Sequence, residues 1–220
     1  MIVTDISRQK RSSDRLNIFL DGEFAFGVHE EVLARIGIQR GDDIDRTTIN
    51  AMMAEEEFNL AKLKALRLIS HRKRSEKELR EKLIEKEFDP HVLDRLISHL
   101  CSLGVLNDKD FARSFVHDAR MKKASGSRLL DRQLRAKGIS PTIIHDVFTE
   151  VLTKESEQTA ALEAARKVVR RYQSSRKNID QEKQRQRLAQ FLTRRGFDWT
   201  TISPVLKELF PHKPSSARVI

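Results

Sequence analysis

The chain repeats itself. Residues 79–100 carry Leu79, Leu83, Phe88, Pro90, Val92, Leu93, Leu96, Ile97 and Leu100. Moved along by 51 residues, the same positions read Leu130, Leu134, Ile139, Pro141, Ile143, Ile144, Val147, Phe148 and Val151. Moved by 109, they read Leu188, Leu192, Phe197, Trp199, Thr201, Ile202, Val205, Leu206 and Leu209. A module of this size cannot bury its apolar face alone, so tandem copies must stack to form cores. That confines the second half of the chain to a helical array.

The punctuation agrees with the period. Ser75-Glu76-Lys77-Glu78 is a capping box that opens a helix. Gly104, Gly138 and Gly196 stand where helices end, a position that favours a left-handed residue. Asp89-Pro90 and Ser140-Pro141 each offer an N-cap followed by a first-turn proline, and Asn107-Asp108 caps a further helix. Each copy is therefore three helices. The expected divisions are 1–50 for an N-terminal unit, 51–106, 107–153 and 154–210 for the repeats, and 211–220 for a disordered tail. The fold class is mainly α: three tandem three-helix repeats forming an elongated, curved body behind a small β unit.

That β unit is read from Ile2–Ile6, Leu16–Leu20 and the alternation of Phe24, Phe26 and Val28, with Asp21-Gly22 as a hairpin turn. A short helix, about His29–Ile36, stops at Gly37, and a long helical segment starts near Asp45.

Charge divides the chain further. Residues 1–60 hold seven Lys/Arg against twelve Asp/Glu, net −5, whereas the remainder holds 35 against 20, net +15. From Arg120 to Lys137 the basic residues Arg120, Lys122, Lys123, Arg128, Arg132, Arg135 and Lys137 face Asp131 alone. So one-sided a stretch attracts polyanions or acidic protein grooves. Arg166, Lys167, Arg170, Arg171, Arg176 and Lys177 form a second cluster. The stretch Arg72–Lys86 interleaves its basic residues with four glutamates and reads as ordinary surface, as does the acidic run Glu55-Glu56-Glu57.

Chemistry is sparse. No phosphate-cradling glycine motif occurs, no histidine pair falls at i, i+4, and the single cysteine, Cys101, has no evident base. His99 and Cys101 read as helix–helix contact residues. Most phenylalanines occupy core-periodic positions, and Tyr172 is the best candidate for an exposed ring, although core or partial burial is favoured for it too. Neither a cofactor nor a metal site is expected. The lone cysteine and the absence of an apolar leader or spanning segment fit a cytoplasmic protein.

The run Arg74-Ser75-Glu76-Lys77-Glu78-Leu79-Arg80-Glu81-Lys82-Leu83 resembles the signature of the RecX family, bacterial regulators of the RecA recombinase. So do Leu103-Gly104-Val105-Leu106-Asn107-Asp108 with Phe111-Ala112, and Lys137-Gly138-Ile139. Carried over position by position, the motif residues are Arg74, Ser75, Glu78, Leu79, Gly104, Asp108, Phe111 and Gly138. The resemblance implies a non-enzymatic protein that lodges in the groove of the RecA–DNA filament; the chain itself is expected to be a monomer, with dimerisation left open by the sequence. There it suppresses ATP hydrolysis, strand exchange and co-protease activity. Copy three departs from the pattern, with Trp199 at the proline position and Thr201 at an apolar one. The basic residues Arg120, Lys122, Lys123, Arg128, Arg132, Arg135 and Lys137 are the expected contact surface, extended by Arg166, Arg170 and Arg171. Two other readings stay open: a stand-alone DNA-binding protein that competes for DNA, and a helical scaffold for an unrelated acidic partner.

Overall fold

A computed structural model describes residues 1–10, 12–174 and 180–211. Arg176, Lys177 and the tail from 212 lie outside the described residues.

Three antiparallel strands, β1 (Val3–Gln9), β2 (Ser12–Leu20) and β3 (Glu23–His29), pair in the order β1-β2-β3. Asp21 and Gly22 both take positive φ, 51° and 92°, as a two-residue hairpin turn of matching twist requires. The first two strands run further than the apolar residues indicate. Their polar ends stay in the ladder, and Gln9 there donates its amide to Asn17 at 2.9 Å. Helix α1 (Glu30–Ile36) follows, ended by Gly37 at φ 78°. Val3, Ile18, Val28, Val32 and Met52 close the first core.

Helix α2 (Arg46–His71) starts on Asp45, whose carboxylate accepts from the Thr48 amide. No break falls at residue 50; the helix runs through that boundary. Its first half buries Met52, Glu56 and Asn59, and its second half buries Ala61 and Ala65. At about 100° per residue these two sets lie on nearly opposite sides of the helix. The first side meets the β unit. The second meets α3 (Glu76–Ile84) and α4 (Pro90–Ser102) through Leu79, Leu83, Leu93, Leu96 and Leu100.

The second repeat is α5 (Asp108–Lys123), α6 (Ser127–Ala136) and α7 (Pro141–Val151) around Phe111, Val116, Leu130, Leu134, Ile144 and Val147. The third is α8 (Lys154–Ser174), α9 (Gln181–Arg194) and α10 (Trp199–Leu209) around Ala161, Ala165, Leu188, Leu192, Phe197, Ile202 and Val205. Matched repeat positions are buried in every copy: Leu79, Leu130 and Leu188, then Leu83, Leu134 and Leu192. Trp199 takes the first helical position that proline takes in α4 and α7, and it lies 61% exposed. Thr201 is buried, and Asp198 caps its amide at 2.9 Å. The chain forms two compact units, one ending at Leu106 and the other beginning at Asn107.

Candidate functional site

The family-motif residues turn out to build the scaffold. Arg74 donates to the Leu68 carbonyl at 3.1 Å and so closes the end of α2; burial lowers its pKa. Ser75, fully buried, caps α3 by accepting from the Glu78 amide, while the Glu78 carboxylate pairs with Arg72 at 2.7 Å. Leu79 and Phe111 are core, Asp108 sits in the first turn of α5, and Gly104 and Gly138 take φ 68° and 84°. Cys101 donates its thiol to Glu76, and the His99 ring lies 5.9 Å from Phe58, so both residues join helices of the first repeat.

The acidic run of α2 is not a solvated face. Glu56 is buried, accepts from the His29 amide at 2.6 Å and pairs with Arg15 at 2.8 Å, which fastens the sheet to α2. Glu55 pairs with Arg35 of α1 and Arg95 of α4. Glu57 accepts from the Asp89 amide at 2.6 Å. Three successive carboxylates thus bind three different elements, a role that spacing within one helix cannot reveal.

Arg120 also departs from expectation. Its side chain is only 15% exposed and pairs with Glu157 at 3.5 Å, also donating to the Ser156 carbonyl. Burial lowers its pKa, with Glu157 opposing. Burial likewise raises the pKa of Glu157, against the Ser127 amide and hydroxyl that donate to it. Helix α6 begins at Gly126, which has no side chain to cap it, so Glu157 of α8 supplies the missing acceptor. Arg120 therefore lies inside the seam between the second and third repeats and is not available to a partner.

What remains is a row on α6. Arg128, Arg132 and Arg135 fall at i, i+4 and i+7 and are all exposed, opposite the buried Leu130 and Leu134. Arg135 pairs with Asp131 at 2.8 Å, which raises its pKa, while Arg132 has no ion-pair partner among the described residues. The equivalent positions are Lys77, Glu81 and Ile84 on α3, with Lys77 paired to Glu81, and Gln186, Gln190 and Thr193 on α9. Among the described repeats only the second presents three arginines there. Lys122 pairs with Asp118, Lys123 is exposed, and Lys137 is half-buried with its ammonium 5.6 Å from the Phe115 ring.

Residues Arg166, Lys167, Arg170 and Arg171 are exposed on α8. Arg166 lies about 13 Å along the helix from Glu157 and pairs with Glu208 of α10. Tyr172 beside it is half-buried.

Sequence reasoning missed the seam that orients α6. The Gly126 amide donates to the Arg195 carbonyl at 2.8 Å, and the Arg128 amide donates to the Gly196 carbonyl at 3.1 Å. Arg195 in turn donates to the Lys123 carbonyl at 2.7 Å and lies over the Phe191 ring. A Cβ on Gly196 would fall 2.3 Å from the Leu129 amide nitrogen. Its positive φ was the legible signal, whereas the contact with Gly126 had none.

Among the described residues no His, Cys, Asp and Glu group has metal-site geometry, and no helix is long and apolar enough to cross a membrane.

Four family profiles match the chain. They are the Regulatory protein RecX N-terminal domain at residues 1–45, and the first, second and third three-helix domains of RecX at 61–100, 107–147 and 155–206. Regulatory protein RecX of Clostridioides difficile (strain 630) is 33% identical over 94% of this chain and 95% of its own length. That of Bacillus subtilis (strain 168) is also 33% identical, over 94% and 76%. A crystal structure of regulatory protein RecX superposes with a TM-score of 0.77 at 27% identity, covering 93% of this chain and 98% of that one.

Proposed function

The chain belongs to the RecX family of regulatory proteins, and from that premise we propose that it restrains a RecA recombinase by seating the basic face of α6 in the groove of the RecA–DNA filament. Bound there, it lowers ATP hydrolysis, strand exchange and co-protease activity. It acts in the cytoplasm as a regulator of recombination and the SOS response, without catalysing a reaction. The observation that carries this reading is the row Arg128, Arg132 and Arg135, which the matched positions of the other repeats do not share. A filament offers the same site on successive protomers, so a modest contact per molecule gains from high local concentration.

The test is the DNA-dependent ATPase of the source organism's RecA, with this chain added well below one per protomer. Inhibition that survives a several-fold excess of DNA supports a filament regulator. The double variant Arg132→Glu/Arg135→Glu should weaken inhibition about tenfold or more, because like charge is then set against the acidic surface. Undiminished inhibition would refute the α6 assignment.

The same arginine row also suits DNA phosphates, which favours the second reading, a stand-alone DNA binder. On that reading inhibition vanishes with excess DNA and falls steeply with salt.

A further inference from the structure

The acidic N-terminal unit carries a surface of opposite character. Because α2 buries one side against the sheet and the other against α3 and α4, an open cleft of about 610 Å³ is left along its middle. Phe26 of β3, Met53 and Leu60 of α2 and Val92 of α4 give it apolar walls. Met53 is 55% exposed, far more than a core methionine. Glu57 and Asp89 line the same cleft, and no Lys or Arg does among the described residues. Each of these carboxylates holds backbone amides through one oxygen, Glu57 that of Asp89 and Asp89 those of His91 and Val92. Neither second oxygen has a partner among the described residues.

We infer that this cleft docks an extended peptide segment of a partner protein in which apolar side chains alternate with Lys or Arg. Charge complementarity selects that occupant. Uncommitted carboxylate oxygens beside apolar walls attract a cation whose neighbours are hydrophobic, and they repel an acidic or phosphorylated segment. Most of the cleft's lining comes from residues 1–60, which hold a net −5 on a chain of net +10, so the local field favours a cation there. The inference does not rest on the α6 reading, since it uses different residues and a ligand of opposite charge.

The probe is a fluorescein-labelled ten-residue peptide of alternating leucine and arginine, followed by anisotropy with the full chain. Its companion has every leucine replaced by serine. The leucine–arginine probe should bind, and the serine–arginine probe should bind at least tenfold more weakly. Met53→Lys should weaken the first probe at least tenfold, and Leu60→Lys should do the same. Met121→Lys, which adds the same charge at a position 76% exposed on α5, should leave binding unchanged. Failure of the wild-type chain to bind, equal binding of both probes, or equal loss at Met121 would each overturn the assignment. RecA ATPase inhibition by Met53→Lys, measured in parallel, separates this cleft from the α6 face.

Discussion

Replacing Gly126 by alanine separates two physical arguments by sign. Its φ of −84° and ψ of 164° are ordinary extended backbone, so chain entropy alone predicts that alanine stabilises by about 0.4–1 kcal/mol. The structure predicts the opposite. A Cβ there would lie 2.5 Å from the carbonyl carbon and oxygen of Gly196 and from the Phe197 nitrogen, all backbone atoms that cannot rotate aside. Relieving that overlap costs about 1–3 kcal/mol. It also stretches the paired hydrogen bonds from Gly126 and Arg128, at about 1 kcal/mol each. Set against the chain-entropy gain of about 0.4–1 kcal/mol, a net loss of about 2–4 kcal/mol follows. Gly104 is the control: its φ is 68°, but nothing lies within 4 Å of a Cβ, so alanine should cost only about 1 kcal/mol. Urea unfolding followed by far-ultraviolet circular dichroism reads both variants, and fluorescence of Trp199, the single tryptophan, follows the unit that contains Gly126. With a slope of about 2 kcal/mol per molar, the Gly126→Ala midpoint should fall by about 1–2 M. An unchanged or raised midpoint, or a smaller loss than at Gly104, would refute the close backbone approach.

Three further outcomes follow from the same contacts. Glu157→Ala strips the α6 amide cap and leaves Arg120 buried without its counter-charge, so unit stability should fall by about 2–3 kcal/mol in thermal unfolding; Glu157→Gln, which still accepts from Ser127, should lose less. Burial raises the pKa of Glu157, so the folded chain holds this proton more tightly than the unfolded one. Its contribution therefore declines as pH rises from the ordinary carboxylate value of 4.5 through the folded value. Wild type should gain on Glu157→Gln as pH falls through that window, so its lead widens, and a lead that narrows instead would contradict the assignment. Glu56→Ala should destabilise the N-terminal unit by about 2 kcal/mol by orphaning the His29 amide and Arg15, whereas the exposed Glu23→Ala should stay within about 0.5 kcal/mol by the same denaturation measurement.

The repeat was legible because helix cores impose a period and because caps and left-handed glycines have narrow chemistry. Ser75, Asp89, Asn107 and Ser140 all cap the helices that their sequence contexts indicate. Charge was legible only as a sum along the chain. Whether a given charge faces solvent depends on partners distant in sequence, as with Arg120 and Glu157, or Glu56 and Arg15. For the same reason the acidic run of α2 read as surface although it joins three elements. The position of residue 50 within a helix was not legible for another reason: α2 switches its buried side without interrupting its helix.

The seam and the arginine row are one device. The amide of Arg128 is itself bonded to Gly196, and the first α6 amide, that of Ser127, is capped by Glu157. The start of α6 is thereby fixed to the third repeat at two points, and an arginine row on a short, anchored helix keeps its guanidinium groups at a set spacing. A row that had to find its register on binding would lose ordering entropy for each long side chain and for the helix itself. Gly196→Ala forces both a Cβ at φ 86° and a clash with Leu129, yet leaves Arg128, Arg132 and Arg135 chemically intact. If recognition depends on presentation and not on charge alone, that variant should weaken RecA ATPase inhibition at a temperature where circular dichroism still shows it folded. Undiminished inhibition would mean that the arginines act as a diffuse charge, and the seam would then matter to stability only.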